Sequence, residues 1–210
     1  MNQPLRRIES TFVVLPAENI DTDQICPARF LTTTSRDGFA PALFADWRYD
    51  QAGVMRPEFP MNRPGAKDAR ILVTGRNFGC GSSREHAVWA LRENGIQAVI
   101  APAVADIFRR NVLKNGVVPV VIDAAAHGAL LAHPTATVLV DIERLLVAWP
   151  GGEAKFAMEP FARHCLMEGV DELGYLLQQE TAIAGYEARV GGSGGRGLLR
   201  RTAKRTGSSQ

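Results

Sequence analysis

The residues best suited to chemistry lie between positions 75 and 87, where the sequence reads Gly-Arg-Asn-Phe-Gly-Cys-Gly-Ser-Ser-Arg-Glu-His-Ala. This segment follows a β-branched apolar run and precedes a helical pattern, so it is predicted to be a strand-to-helix turn. Ser82 and Glu85 have the S-x-x-E spacing of a capping box. The spacing predicts that the helix begins at Ser82 or Ser83.

A turn of this composition is predicted to bind an anion. Its glycines allow the backbone to approach a ligand closely, and the helix N-terminus presents open amides and the positive end of its dipole. The planar guanidinium of Arg84 suits a carboxylate, which makes a dicarboxylate or a phosphate the natural guest. The spacing matches neither a dinucleotide-binding fingerprint, nor a P-loop, nor a nucleophile elbow. A capping box with an arginine also occurs in helices that only pack, and both interpretations stay open at this point.

The elements around this turn predict an α/β fold. A strand at 70–74, a helix at 82–94, a strand at 98–101, a helix at 104–114 and a strand at 117–122 form a β-α-β-α-β pattern. The other predicted elements are a strand at 11–15 followed by a turn-rich loop, a short helix within 38–47, an irregular proline-rich loop at 56–67, a hairpin of 137–141 with 145–149, and two or three helices from 160 to 187.

Charge separates the chain into two predicted regions. Six of its 24 basic residues and none of its 22 acidic residues follow position 188. Residues 1–188 therefore carry 18 bases against 22 acids, a net charge of −4, and are predicted to form one domain. Residues 189–210 are rich in glycine, serine and arginine, which predicts a disordered basic tail.

The cysteines and apolar runs limit the class of protein. Cys26, Cys80 and Cys165 are far apart in sequence and form no CxxC pair. They predict a reducing, cytoplasmic location and no metal bound by this chain. No signal peptide and no membrane-spanning run is apparent. The histidines, among them His127, show no ligand spacing.

Several motifs, in order along the chain, carry a resemblance to a known family. They are Asn-Ile-Asp-Thr-Asp-Gln-Ile-Cys-Pro-Ala-Arg-Phe-Leu at 19–31, Asn-Phe-Gly-Cys-Gly at 77–81, Gly-Ser-Ser-Arg-Glu-His-Ala at 81–87, Ala-Asp-Ile-Phe-Arg-Arg-Asn at 105–111, Leu-Lys-Asn-Gly at 113–116 and Phe-Ala-Arg-His-Cys-Leu-Met-Glu-Gly-Val-Asp at 161–171. Together they resemble the swivelling β/β/α domain of the aconitase superfamily in its stand-alone form, the small-subunit family of 3-isopropylmalate dehydratase. The resemblance covers about residues 5–187.

The resemblance implies a hydro-lyase that dehydrates and rehydrates a malate-like diacid in leucine biosynthesis. In that family a 4Fe-4S cluster held by the large subunit acts as a Lewis acid, and the small subunit completes the cleft. The chain is thus expected to bind no cofactor itself and to need a large-subunit partner. Neither nucleic acid nor a membrane is an expected partner.

Roles for individual residues follow from the same resemblance. Ser82 matches the serine that acts as general base, and Asp23 the aspartate that pairs with a histidine of the cluster-bearing part. Ser83 and Arg84 match ligands of the substrate carboxylate. The loop that distinguishes substrate side groups corresponds to Arg29, Phe30, Leu31 and Thr32. The arginine for the second carboxylate is either Arg29 or Arg36.

Two alternatives remain open from the sequence. The first is the same chemistry on another diacid, such as 2-methylmalate, citraconate or homoaconitate. The second is a non-catalytic module that uses the glycine-serine turn to sense an anion. Nucleic-acid binding through the basic tail is disfavoured by the acidic domain.

Overall fold

The computed structural model describes residues 3–31 and 37–194. The chain divides into two compact units, Met1–Gly169 and Val170–Gln210. Thr32, Arg36 and the last sixteen residues of the predicted tail lie outside the described residues. No helix in the described part of the chain is both long enough and apolar enough to cross a membrane.

The strands of the first unit are short, and all of those described except the last along the chain contain Val, Ile or Thr, which favour strands. They are β1 (Arg7–Ser10), β2 (Phe12–Leu15), β3 (Ile71–Thr74), β4 (Ala98–Ala101), β5 (Val118–Val121), β6 (Val138–Asp141), β7 (Leu146–Trp149) and β8 (Gly152–Lys155). β2-β3-β4-β5 form a parallel sheet in that order, and β1-β6-β7-β8 form an antiparallel sheet.

Along the chain, most helices of the first unit connect one parallel strand to the next. They are α1 (Thr22–Ile25), α2 (Ala45–Arg48), α3 (Glu85–Glu93), α4 (Asp106–Lys114), α5 (Ala124–Leu131) and α6 (Pro160–Glu168). Single turns of 3-10 helix occur at Ala28–Phe30, Ala40–Ala42, Pro60–Asn62 and Ala66–Asp68.

Side chains of the parallel strands alternate between two cores. Ile71 and Val73 of β3 pack in a sheet–sheet core with residues of the antiparallel sheet such as Val140 and Val147. Leu72, between them, packs in a different core. Because successive side chains of a strand point to opposite faces, the parallel sheet is buried on both sides.

The second core lies between the parallel sheet and the helices. Leu72 and Val99 meet Val88 of α3 and Phe108 of α4 there. The layers are therefore antiparallel sheet, parallel sheet and helices. This order confirms the predicted α/β class and its β/β/α arrangement.

Most predicted elements of the first unit are confirmed, with small changes at their ends. β4 has the predicted bounds, and the predicted hairpin is the antiparallel pair β6 and β7, with Leu139 opposite Ala148. β1, β8 and α5 were not predicted. The single helix predicted within 38–47 is wrong, since Phe44 adopts a left-handed φ of 50° and separates a 3-10 turn from α2. The loop at 56–67 was predicted to lack regular structure but contains two 3-10 turns.

The second unit contains helices α7 (Glu172–Gln178) and α8 (Glu180–Gly194). Asp171 caps α7, because its carboxylate accepts a hydrogen bond of 2.7 Å from the Gly174 amide. The domain boundary predicted after residue 188 falls inside α8. Residues 189–194 are helical although they were predicted to start the tail.

Candidate functional site

The candidate site lies where three parallel strands end. Leu15 of β2 pairs with Thr74 of β3, and Val73 pairs with Ile100 of β4, so their carboxyl ends share one edge of the sheet. The loops that leave this edge are joined by backbone hydrogen bonds. The Gly79 amide donates to the Ile20 carbonyl at 2.7 Å. Loops at this edge of a parallel sheet are a common location for binding sites.

The glycine-rich turn is held on both sides. On one side the amide of Thr22 donates to the carbonyl of Cys80 at 2.9 Å. On the other side Phe78 and Val104 form a parallel bridge, and the Ala105 amide donates to the Phe78 carbonyl at 2.9 Å. The turn thus joins the loop before α1 to the loop before α4.

Gly79 is required by close packing as well as by its backbone angle. Its φ is +74°, and an added Cβ would lie 2.2 Å from Cγ of Phe108. Phe108 is 2% exposed and packs edge-on against Phe78, with ring centroids 5.4 Å apart. The turn and the first part of α4 therefore contact each other with no room for a side chain at position 79.

The helix after the turn begins later than predicted. Its N-cap is Arg84 and its first residue is Glu85, so the capping box expected at Ser82 or Ser83 is wrong. The Ser82 carbonyl instead accepts a hydrogen bond of 2.9 Å from the Thr22 hydroxyl, which keeps Ser82 in the turn.

A capping box is present at α1 instead. Oδ1 of Asp21 accepts from the Gln24 amide at 2.8 Å, and Oε1 of Gln24 accepts from the Asp21 amide at 2.8 Å. This D-x-x-Q spacing, which a search for capping boxes along the loop would find, fixes the start of α1 and so the position of Asp23.

A cleft of about 320 Å³ opens beside the turn, and we call it the serine cleft. It is lined by residues 79–84, 105–108 and 111. Ser82 and Ser83 are both exposed in it. Three of the predicted site residues, Ser82, Ser83 and Arg84, therefore lie on one concave surface.

Ser83 is held by a residue that sequence reasoning did not single out. Oγ of Ser83 accepts a hydrogen bond of 3.2 Å from Nδ2 of Asn111, on α4. Asn111 also lines the serine cleft. It ends the Ala-Asp-Ile-Phe-Arg-Arg-Asn motif, so the motif carried a signal for this residue although no role was assigned to it.

Arg84 and Asp23 form an ion pair at the edge of the serine cleft. The Arg84 side chain is 19% exposed, whereas Asp23 is 53% exposed. Asp23 does not line the cleft itself, and it reaches the site through the guanidinium of Arg84. The aspartate and the arginine that the sequence analysis selected are therefore in direct contact.

The electrostatics of the serine cleft favour an anion. α3 and α4 both begin at it, and neither N-cap residue, Arg84 or Ala105, makes a capping hydrogen bond with its side chain. The positive ends of two helix dipoles and the charge of Arg84 therefore converge there. Asp106, in the first turn of α4, is the acidic residue of the lining.

Two cysteines near the turn are held in the neutral thiol form. Burial raises the pKa of Cys26 to about 11, with the Arg84 charge acting in the opposite direction. Burial, followed by the charge of Asp21, also raises the pKa of Cys80, which lines the serine cleft. Its thiol lies 3.4 Å from the Asn19 carbonyl and donates to it.

The predicted specificity loop is only partly described. Arg29 lies on a 3-10 turn and forms an ion pair of 2.6 Å with Asp46. Phe30 and Leu31 are partly buried against the sheet–helix core. None of the three lines the serine cleft, and Thr32 lies outside the described residues. The role of this loop stays a prediction.

The described residues contain no group of three or more His, Cys, Asp or Glu side chains that could hold a metal ion. Cys26 and Cys80 do not form a disulfide.

Comparison with known proteins adds to this geometry. A model of the aconitase C-terminal domain matches residues 2–125. The chain is 60% identical over 186 residues to a 3-isopropylmalate dehydratase small subunit of Anaeromyxobacter sp. (strain K), covering 88% of this chain and 97% of that protein. It is 52% identical over 191 residues to the small subunit of Chloroflexus aggregans, covering 89% and 94%. A crystal structure of 3-isopropylmalate dehydratase (LeuD) from Methanocaldococcus jannaschii superposes with a TM-score of 0.63 at 26% identity, covering 86% of this chain and 99% of that one.

Proposed function

Since the chain belongs to the aconitase C-terminal domain family, we propose that it acts as the small subunit of a hydro-lyase that interconverts 2-isopropylmalate and 3-isopropylmalate in leucine biosynthesis. The observation that carries this proposal is the serine cleft, where Ser82, Ser83 and Arg84 meet the N-termini of two helices. A dicarboxylate needs such a concentration of donors and positive charge.

Ser82 is the residue that we propose as general base. The reaction removes a weakly acidic C–H proton and a hydroxide from adjacent carbons, and then adds water back in the opposite orientation. An ordinary serine hydroxyl is far too weakly acidic to act as an alkoxide base near neutral pH. The positive end of the α3 dipole and the adjacent Arg84 supply positive potential that stabilises an alkoxide at this position.

Ser83 and Arg84 are proposed to bind a substrate carboxylate. The Asn111 amide donates to Oγ of Ser83, which leaves the Ser83 hydroxyl proton to be donated to the ligand. Arg84 presents a planar guanidinium whose remaining N–H groups can form a bidentate pair. Asp23 positions that guanidinium from outside the cleft through the ion pair.

A large subunit is proposed as the partner, and as the chain that holds the 4Fe-4S cluster of the reaction. When bound there, the cluster supplies Lewis-acid activation of the substrate hydroxyl. The serine cleft is open to solvent on this chain, and its exposed serines are consistent with a pocket that a second chain completes. We place the complex in the cytoplasm, because reduced thiols are maintained there.

Reconstitution with the large subunit tests the proposed function. Under anaerobic conditions, the mixture is expected to convert 2-isopropylmalate, while each chain alone is inactive. Replacing Ser82 by Ala is expected to lower kcat at least 100-fold, because general base catalysis typically contributes about 10²–10⁴-fold. Thr137→Ala removes an exposed hydroxyl outside the cleft and serves as the control.

Different failures of this test have different meanings. Activity on 2-methylmalate, citraconate or homoaconitate without activity on 2-isopropylmalate would assign the chain to a related hydro-lyase. Unchanged activity of the Ser82→Ala complex would contradict the proposed base. Anion binding by the isolated chain, with no activity in any mixture, would favour a sensing module.

A further inference from the structure

We propose that Ile107 is a specificity-determining residue, which contacts the branched apolar side group of the substrate. This inference rests on the proposed function. The serine cleft is lined by Ser82, Ser83 and Arg84 of the turn, by the polar Asp106 and Asn111 of α4, and by an apolar side. Ala105, Ile107 and Phe108 supply the apolar side.

Ile107 is unusual among the large apolar residues of this helix. It lines the cleft yet remains 55% exposed, whereas Phe108 beside it is 2% exposed. Exposing a large aliphatic side chain at the mouth of a concave site leaves apolar area that a ligand can cover. When an isopropyl group moves from water into contact with Ile107, the apolar surface of the group and that of the side chain are both buried.

The wall that carries Ile107 is fixed in place. Phe108 contacts the Gly79 backbone so closely that no Cβ fits between them, and it packs edge-on against Phe78. Asn111, one turn further along α4, is hydrogen-bonded to Ser83. The apolar wall and the carboxylate-binding turn therefore have a set relation to each other, which is what discrimination between side groups requires.

The described part of the predicted specificity loop does not supply this apolar contact on the chain itself. Phe30 and Leu31 pack against the sheet–helix core, and Arg29 is paired with Asp46. None of them lines the serine cleft. Among the described residues that do line it, Ile107 is the branched aliphatic side chain.

The expected effect of Ile107 on kcat/KM can be estimated by comparing 2-isopropylmalate with a diacid that has a smaller side group. 2-Methylmalate keeps both carboxylates and the hydroxyl of 2-isopropylmalate but has a methyl in place of the isopropyl group. One methylene in an apolar pocket changes kcat/KM by roughly 10–200-fold. Because Ile107 lies at an exposed mouth, we expect the lower end of that range.

The experiment uses the complex reconstituted with its large subunit and compares the two diacids. Ile107→Ala is expected to lower kcat/KM for 2-isopropylmalate by about tenfold, through KM, and to change that for 2-methylmalate less than twofold. For Ile107→Val, kcat/KM for 2-isopropylmalate is expected to lie between the values for Ile107→Ala and wild type. Val54→Ala removes a comparable aliphatic side chain, 61% exposed and outside the cleft, and is the matched control.

Three results would overturn the inference. An unchanged ratio of kcat/KM for the two diacids in Ile107→Ala would show that Ile107 does not contact the side group. An equal loss for both diacids, with weaker assembly measured by titration of the large subunit, would make Ile107 a subunit contact. A wild-type complex that is inactive on 2-isopropylmalate would overturn the proposed function and this inference together, whereas the first two results leave the proposed function intact.

Discussion

Arg84, the N-cap of α3, forms an ion pair with Asp23 of α1, which lies 61 positions earlier in the chain. The same two segments are joined by the Thr22 hydroxyl, which donates to the Ser82 carbonyl at 2.9 Å. The glycine-rich turn is therefore held on this side by α1. A substitution in α1 that breaks one of these contacts should therefore change substrate binding at the serine cleft.

Removing the charge of Asp23 tests this coupling. Asp23→Asn is expected to raise KM of the reconstituted complex by about tenfold, because Arg84 loses the partner that orients its guanidinium. The free energy of unfolding should change by less than about 1 kcal/mol, since the pair is partly exposed. Glu168→Gln is the control, because Glu168 forms a comparable exposed pair of 3.1 Å with Arg6. A KM equal to that of wild type would mean that Arg84 needs no orientation by Asp23.

The hydrogen bond between Asn111 and Ser83 gives a second prediction. If Asn111 acts only by orienting Ser83, then Asn111→Ala and Ser83→Ala should each raise KM severalfold. The double variant should be about as impaired as either single variant, because the second substitution removes nothing further. Steady-state kinetics of the four complexes measure the coupling. Strictly multiplicative effects would show that the two side chains act independently.

Gly79 and Gly128 provide a pair of substitutions with opposite expected signs. Gly79→Ala should destabilise the protein by at least about 2 kcal/mol, because the new Cβ would overlap the Phe108 ring and the residue has a positive φ. Gly128 lies within α5 with nothing within 4 Å of an added Cβ. Gly128→Ala should therefore stabilise by about 0.5–1 kcal/mol. Chemical denaturation measures both, and a stable Gly79→Ala variant would contradict the close packing.

The location of the glycine-rich turn could be predicted from the local sequence, whereas the residue at which α3 begins could not. A β-branched run at 70–74 and a helical pattern over 82–94 predict a strand-to-helix turn around their junction, whatever the rest of the chain does. The capping box at Ser82 was wrong because a hydroxyl sixty residues away takes the Ser82 carbonyl. A contact with Thr22 leaves no local trace in the spacing of Ser82 and Glu85.

The proposed roles of Asn111 and Ile107 could not be predicted from the sequence, because they also depend on tertiary contacts. Helical periodicity predicts a helix over 104–114, and α4 forms there with Phe108 and Val112 in the core. It does not say which end of the helix opens on a cleft. That depends on the contact of Gly79 with Phe108 and on the Phe78–Val104 bridge, which are tertiary.

Alkylation of the cysteines provides a prediction about reactivity. Only the thiolate reacts, so a raised pKa slows the reaction. Cys26, with a pKa of about 11 and no exposure, should stay unmodified by iodoacetamide at pH 8 until the protein is unfolded. Cys80 should react slowly at pH 8 and faster as the pH rises past the usual thiol range, since its pKa is also raised.

Modification of Cys80 should also report on the serine cleft, which Cys80 lines. Carboxamidomethylation is expected to abolish activity of the reconstituted complex, and added 2-isopropylmalate should protect the thiol. Mass spectrometry of tryptic peptides follows each cysteine separately. Full activity of a chain that is alkylated at Cys80 would place the substrate away from this side of the cleft.

His127 gives a prediction for stability against pH. It is 8% exposed, its Nε2 has no hydrogen-bond partner in the described part of the chain, and burial lowers its pKa despite a hydrogen bond with the Thr74 backbone. The folded state therefore takes up the imidazole proton less readily than the unfolded state does. The stability contributed by neutral His127 is fully present above the unfolded pKa of about 6.5 and is lost as the pH falls below it.

The variant His127→Leu isolates this contribution, because it removes the titrating group. Its free energy of unfolding, measured by denaturant at several pH values, is expected to differ from wild type by a constant amount between pH 7.5 and 9, where the imidazole is neutral in both states. Below about pH 6.5 the wild type should lose stability more steeply than the variant, since only the wild type has an imidazole to protonate on unfolding. A difference that stays constant down to pH 5 would mean that the buried imidazole accepts its proton in the folded state as easily as in the unfolded chain.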